Sequence, residues 1–308
     1  MKRKVCLWLV CAMLFTCFGG LISQEARGYV AIGEEEPQEG SESEISKEPL
    51  QQEESTLLPP KVVWSFGVSL TALYARENKL VNRQNLLPED FVPSDLVKMT
   101  VKRATSAAVY MERMAAEALE EMFNAAKEEG YTLYLKSGYR SFGTQKTTYD
   151  NRLRNNDGKD DGVVAYPGSS EHQTGLACDI LNADYAGRPR MTTDFSETAE
   201  AQWMKENCAS FGFILRYPQD KMEITGIIFE PWHFRYVGKD VAGYIMRNEL
   251  TLEEFTDQWQ MAVAEFRGQG GDIDEQIAYE LEKSQKGPES YVMEIYGEDG
   301  DAEVSLSF

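Results

Sequence analysis

Ser170-Glu171-His172-Gln173-Thr174-Gly175-Leu176-Ala177-Cys178-Asp179 and, further along, Phe229-Glu230-Pro231-Trp232-His233-Phe234-Arg235-Tyr236 hold the only two histidines, His172 and His233, of a 308-residue chain. Two imidazoles and one carboxylate are a common ligand set for catalytic zinc, with the fourth position left to water. Asp179 supplies the anionic oxygen here, so His172, Asp179 and His233 are the candidate metal ligands and Zn2+ the candidate ion. Glu230, three residues before His233, is the candidate general base. On a regular strand, positions three apart point to opposite faces, so this reading demands a bend at Pro231. Neither stretch is an HExxH helix with two histidines one turn apart. The same residues also suit a plainer reading: core histidines, Asp179 as a turn carboxylate and Glu230 as the partner of Arg235.

Outward from these stretches, Leu176 to Leu181 reads as a strand, and the aromatic-rich run Ile227 to Val237 as another, interrupted by Pro231. Met111, Met114, Ala115, Ala118, Leu119 and Met122 fall on one face of a helix that ends at Gly130. Tyr131 to Leu135 alternates as a short strand, and Ser137 to Ser141 turns the chain into a helix over 144–155. The Gly- and Asp-rich residues 156–168 form a loop. Further helices are predicted over 197–210, 239–249 and 251–267.

The net charge of −20 is concentrated at the ends, with −5 in residues 1–60, −9 in 268–308 and only −6 between. No basic face is evident, which argues against a nucleic-acid-binding domain. Met1-Lys2-Arg3-Lys4 followed by the uncharged run Val5–Ile22 reads as export machinery, so residues 1–27 are expected to be a signal peptide or a membrane anchor. Residues 28–61 are acidic, Ser- and Pro-containing, and expected to be a disordered tether. A folded domain is expected over 62–267. Residues 268–308 form an acidic extension, read as a semi-independent helix over 274–286 with a hairpin of 291–296 and 302–307. Cys178 and Cys208, the cysteines outside the export segment, fit either one disulfide or two buried thiols.

Four stretches then carry a resemblance: Ser137-Gly138-Tyr139-Arg140-Ser141, the His172 and His233 stretches, and Gly212-Phe213-Ile214-Leu215-Arg216-Tyr217-Pro218. In this order they resemble the VanY-type D-alanyl-D-alanine carboxypeptidases, within the wider group that includes lysostaphin and the hedgehog signalling domain. The resemblance covers roughly residues 79–255. It implies an α+β fold: a single zinc-peptidase domain with a small central antiparallel sheet flanked by helices. The family motif SxHxxGxAxD falls on Ser170, His172, Gly175, Ala177 and Asp179, and ExxH on Glu230 and His233. The implied roles are His172, Asp179 and His233 as zinc ligands, Glu230 as base and Arg140 as a substrate contact that steadies a carboxylate or an oxyanion. Gln145 and Ser170 are further implied substrate contacts. The implied substrate is the peptidoglycan stem peptide, losing its terminal D-alanine. An L,D-carboxypeptidase, an endopeptidase or a non-catalytic zinc-containing cell-wall-binding module remain alternatives. A monomer is expected, extracytoplasmic and touching the membrane only through its N-terminal segment.

Overall fold

The computed structural model describes residues 58–285. The expected export segment, most of the tether and the expected hairpin lie outside them. In chain order the elements are α1 (Leu70–Leu73), β1 (Leu96–Lys98), β2 (Tyr110–Glu112), α2 (Arg113–Glu128), β3 (Leu133–Ser137) and α3 (Phe142–Asn155). They continue with β4 (Ala177–Asn182), α4 (Ala183–Ala186), α5 (Ala199–Asn207), β5 (Phe213–Leu215), α6 (Met222–Thr225) and β6 (His233–Tyr236). Helices α7 (Lys239–Arg247), α8 (Leu252–Gly268) and α9 (Ile273–Gln285) follow, and a 3-10 turn, Glu171–Thr174, precedes β4. Strands β1 and β2 pair with each other, and the others form an antiparallel four-stranded sheet in the order β3-β4-β6-β5. The α+β class and the small central antiparallel sheet are those of the resemblance.

Helix α2 forms where the apolar period predicts it. Ala115, Ala118, Leu119 and Met122 are buried on its inner face, while Met111 belongs to β2 instead. The helix closes on Gly130, whose positive φ of 92° lets Tyr131 N–H reach Ala126 O and Gly130 N–H reach Lys127 O. Leu119 and Met122 pack with Leu135, Ile180, Trp203 and Phe234 in the larger core cluster. Each fully buried side chain of this size contributes about 1.5–3 kcal/mol. A second cluster joins Ile214, Val241, Ile245, Leu252 and Phe255 to Leu70 of α1.

The C-terminal helix is not independent of the domain. Ile273 and Ile277 pack on the second cluster, and the Glu280 carboxylate accepts from Leu70 N–H (3.1 Å) and Thr71 N–H (2.8 Å). It thereby satisfies donors that a helix start leaves unpaired. The strand expected over 227–237 is reduced to β6. Pro231 has no N–H, Glu230 N–H turns to Tyr217 O (3.1 Å), and His233 N–H folds back to Glu230 O (3.1 Å). Cys178 and Cys208 are two buried free thiols. Among the described residues no helix is long and apolar enough to cross a membrane.

Candidate active site

Strand register assembles the site. Asp179 of β4 lies directly opposite His233 of β6 and opposite Ser137 of β3. Directly opposed residues of an antiparallel pair project to the same face, so Asp179 and His233 meet although 54 residues separate them. The third donor comes from the 3-10 turn. Gly175, in the left-handed region at φ 70°, ends that turn two residues before β4; a Cβ there would meet Glu112 N at 3.1 Å. The exit from β3 is strapped to the turn twice, by Arg140 N–H to His172 O (3.0 Å) and by His172 Nδ1 to Gly138 O (2.8 Å). With Nδ1 of His172 donating to that carbonyl, Nε2 is left as its lone-pair donor.

His172 Nε2 is 3.4 Å from Asp179 Oδ2, and His233 Nδ1 is 3.1 Å from Asp179 Oδ1. One donor atom from each of the three lies within 4.8 Å of the others, and all three residues are buried. A tight, buried set of two nitrogens and one carboxylate oxygen fits a zinc ion with one position open. The electrostatics point the same way. Burial disfavours charge on Asp179, but the two imidazoles outweigh it and hold the carboxyl well below its usual range. Burial likewise opposes charge on His233, yet Asp179 and Glu171 lift it to about 9. On His172 burial dominates and lowers the value. Without a cation, a proton on His233 supplies the positive charge that this pocket favours, and a bound metal displaces that proton.

Glu230 Oε2 sits 3.6 Å from His233 Nδ1. The bend at Pro231 thus brings both residues to one place, as the base assignment demanded. Burial pushes the Glu230 carboxyl up to about 7; His233 and Arg140 work against the rise, and Asp179 adds to it. Arg140 donates through Nη1 to Gln145 Oε1 (2.8 Å) and through Nη2 to Ser137 Oγ (3.2 Å). Gln145 in turn donates to Ala165 O (2.6 Å). Ser170 is buried and caps the start of the 3-10 turn. A cavity of about 360 Å³ is lined by Ala165, Tyr166, Ser169, Tyr217, Arg216 and Ile227 among others; the three candidate ligands, Glu230 and Arg140 are not on its wall. The Tyr217 ring forms part of its wall, 4.8 Å from the His233 ring.

The family model described as "VanY: D-alanyl-D-alanine carboxypeptidase" matches residues 108–239. The bifunctional D-Ala-D-Ala dipeptidase and D-Ala-D-Ala carboxypeptidase VanXYC of Enterococcus gallinarum is 34% identical over 189 residues, which cover 61% of this chain and 97% of that protein. The chain belongs to the VanY family. The Bacillus subtilis (strain 168) protein described as "Putative carboxypeptidase YodJ" is 45% identical over 58% of this chain and 66% of its own length. The solved LD-carboxypeptidase LdcB matches with a TM-score of 0.54 and 44% identity, over 58% of this chain and 84% of that one. The matched family segment contains His172, Asp179, Glu230 and His233, together with Arg140.

One part of the site escaped the sequence reading. Glu171, buried beside His172, pairs with Arg216 and Arg235 rather than leaving Arg235 to Glu230. The available signal was two arginines set among apolar strand residues, Phe213-Ile214-Leu215-Arg216 and His233-Phe234-Arg235, since buried guanidinium groups need carboxylate partners.

Proposed function

We propose that the chain is a zinc-dependent carboxypeptidase that removes the terminal D-alanine from peptidoglycan stem peptides. The observation that carries this reading is Glu230 Oε2 lying 3.6 Å from a ligand nitrogen of the His172–Asp179–His233 set. Zinc in that set supplies Lewis acidity, polarising the scissile carbonyl and lowering the pKa of a water to about 7. Glu230 takes the proton of the attacking water and returns it to the departing amine. Burial disfavours charge on this carboxyl and so opposes what the metal's own charge would do, which helps Glu230 to hold the proton in transit. Arg140, oriented by Gln145 and Ser137, keeps donors for the substrate carboxylate or the developing oxyanion. Ser170 and Gln145 are further substrate contacts, and the adjoining cavity receives the rest of the peptide.

Cleavage before the last residue releases D-alanine from a pentapeptide by D,D hydrolysis and from a tetrapeptide by L,D hydrolysis. The 44% identity to an LD-carboxypeptidase favours the second bond; the 34% identity to a D-Ala-D-Ala carboxypeptidase favours the first. Mass spectrometry of defined penta- and tetrapeptides after digestion decides between them. Chelator-sensitive release of one alanine is the expected result, and cleavage inside the stem or none at all overturns the reading. The enzyme acts as a monomer outside the cytoplasmic membrane, delivered by its N-terminal segment; fractionation of cells with and without residues 1–27 tests that placement.

A further inference from the structure

Glu171 is fully buried between the two metal-binding stretches, and its two oxygens are used unequally. Oε1 accepts from both Arg216 Nε (2.8 Å) and Arg235 Nη1 (2.9 Å). A single arginine facing a carboxylate commonly forms a two-pronged fork that engages both oxygens. Here both guanidinium groups crowd onto one oxygen, and Oε2 has no hydrogen-bond partner. Neither has His233 Nε2, which is also buried. These two orphaned atoms face each other at 3.7 Å. Buried polar atoms without partners are rare, and this donor and acceptor stand just beyond hydrogen-bonding range of each other.

The arginines are themselves fully engaged. Arg216 forks onto Glu253 at the start of α8 (2.8 and 2.7 Å), and Arg235 donates to the carbonyls of Glu77, Lys79 and Tyr236. The cluster of Glu171, Glu253, Arg216 and Arg235 is neutral in sum, so its purpose is not to supply net charge. What it leaves over is one carboxylate oxygen aimed at one ring nitrogen.

We propose that Glu171 is a positioning residue of the metal centre: its Oε2 receives the Nε2 proton of His233 and so commits Nδ1 of that ring to the metal. The proposal rests on the zinc-site reading and adds a residue to it. Carboxylates placed behind a ligating histidine fix its tautomer and raise its basicity, and losing one weakens metal binding about 10- to 100-fold.

Because the chain has only two histidines, both imidazoles can be followed in the full-length protein by long-range 1H–15N correlation spectra. In the zinc-loaded wild type, the expected result is a protonated Nε2 and a metal-shifted Nδ1 on His233. A proton on Nδ1 of His233, with Nε2 shifted by zinc, overturns the proposal. Failure of zinc to perturb either ring sinks the zinc-site reading itself, a separate outcome. Glu171→Asp keeps the charge that the arginines need but withdraws it from His233. Zinc affinity, measured by competition with a chromophoric chelator, is expected to fall about 10- to 100-fold, with the His233 signals reporting mixed tautomers. Unchanged affinity and tautomer in a folded variant overturn the proposal; should the variant not fold, the wild-type spectrum decides alone.

Discussion

The two halves of the metal centre are built by different means. The first half, His172 with Asp179, is local: a 3-10 turn and the strand that follows it, with the ring held by a backbone carbonyl, Gly138 O. The second half, Glu230 with His233, comes from a distant strand, and its ring faces a buried side-chain carboxylate tied through Arg216 to Glu253 of α8. A backbone anchor depends on how closely two chain segments approach. A side-chain anchor depends on charge and on the packing of a whole helix.

Removing a ligand from either half should have the largest effect. Asp179→Ala is expected to abolish stoichiometric zinc and all measurable turnover, because Asp179 touches both imidazoles. Metal analysis of the purified variant checks this, and retained zinc would show that the halves do not share one ion. The next largest effect separates binding from chemistry within the second half. Glu230→Gln should lower kcat about 10²- to 10⁴-fold while bound zinc stays near one per chain; loss of zinc would make Glu230 a ligand instead of the base.

A smaller effect probes the backbone anchor. A Cβ at Gly138 would meet Tyr110 O at 2.5 Å and Val109 Cγ1 at 2.8 Å. Gly138→Ala should therefore destabilise the metal-free protein by about 1–3 kcal/mol, the usual range for overpacking, and loosen zinc by moving the carbonyl that holds His172. Denaturant unfolding and chelator competition read the two effects, and an unchanged protein would mean that the strap is not under close constraint.

The subtlest prediction concerns pH. His233 is raised from 6.5 to about 9 in the metal-free fold. A raised histidine contributes stability that is complete below about 6.5, its unfolded value, and is lost as pH climbs towards 9. Metal-free Tm should fall across that window, while the added protection by zinc should grow, since the metal displaces the same proton. A flat metal-free profile would remove His233 as the titrating group.

Much of this was legible in the chain. Helix α2 announced itself through Ala115, Ala118, Leu119 and Met122, because a long amphipathic period survives any tertiary context. The bend before His233 was legible in Pro231, which cannot donate to a ladder. Strands β1, β2 and β5 were not predicted, since three residues each are too few to display a period. The docking of α9 was also missed, because Glu280 meets α1 across 210 residues. Glu171 was visible as a letter beside His172, but its partners Arg216 and Arg235 lie 45 and 64 residues on.

The donors, two imidazoles, one neighbouring aspartate and a glutamate before a bend, could be read from the chain because they are properties of side chains and local backbone. That Asp179 stands opposite His233, that Gly138 O holds the His172 ring and that Glu171 lies near the His233 ring came from tertiary packing. Side chains alternate along a strand, so a one-residue slip between β4 and β6 would turn His233 to the other face, and that register is set by packing over the whole sheet.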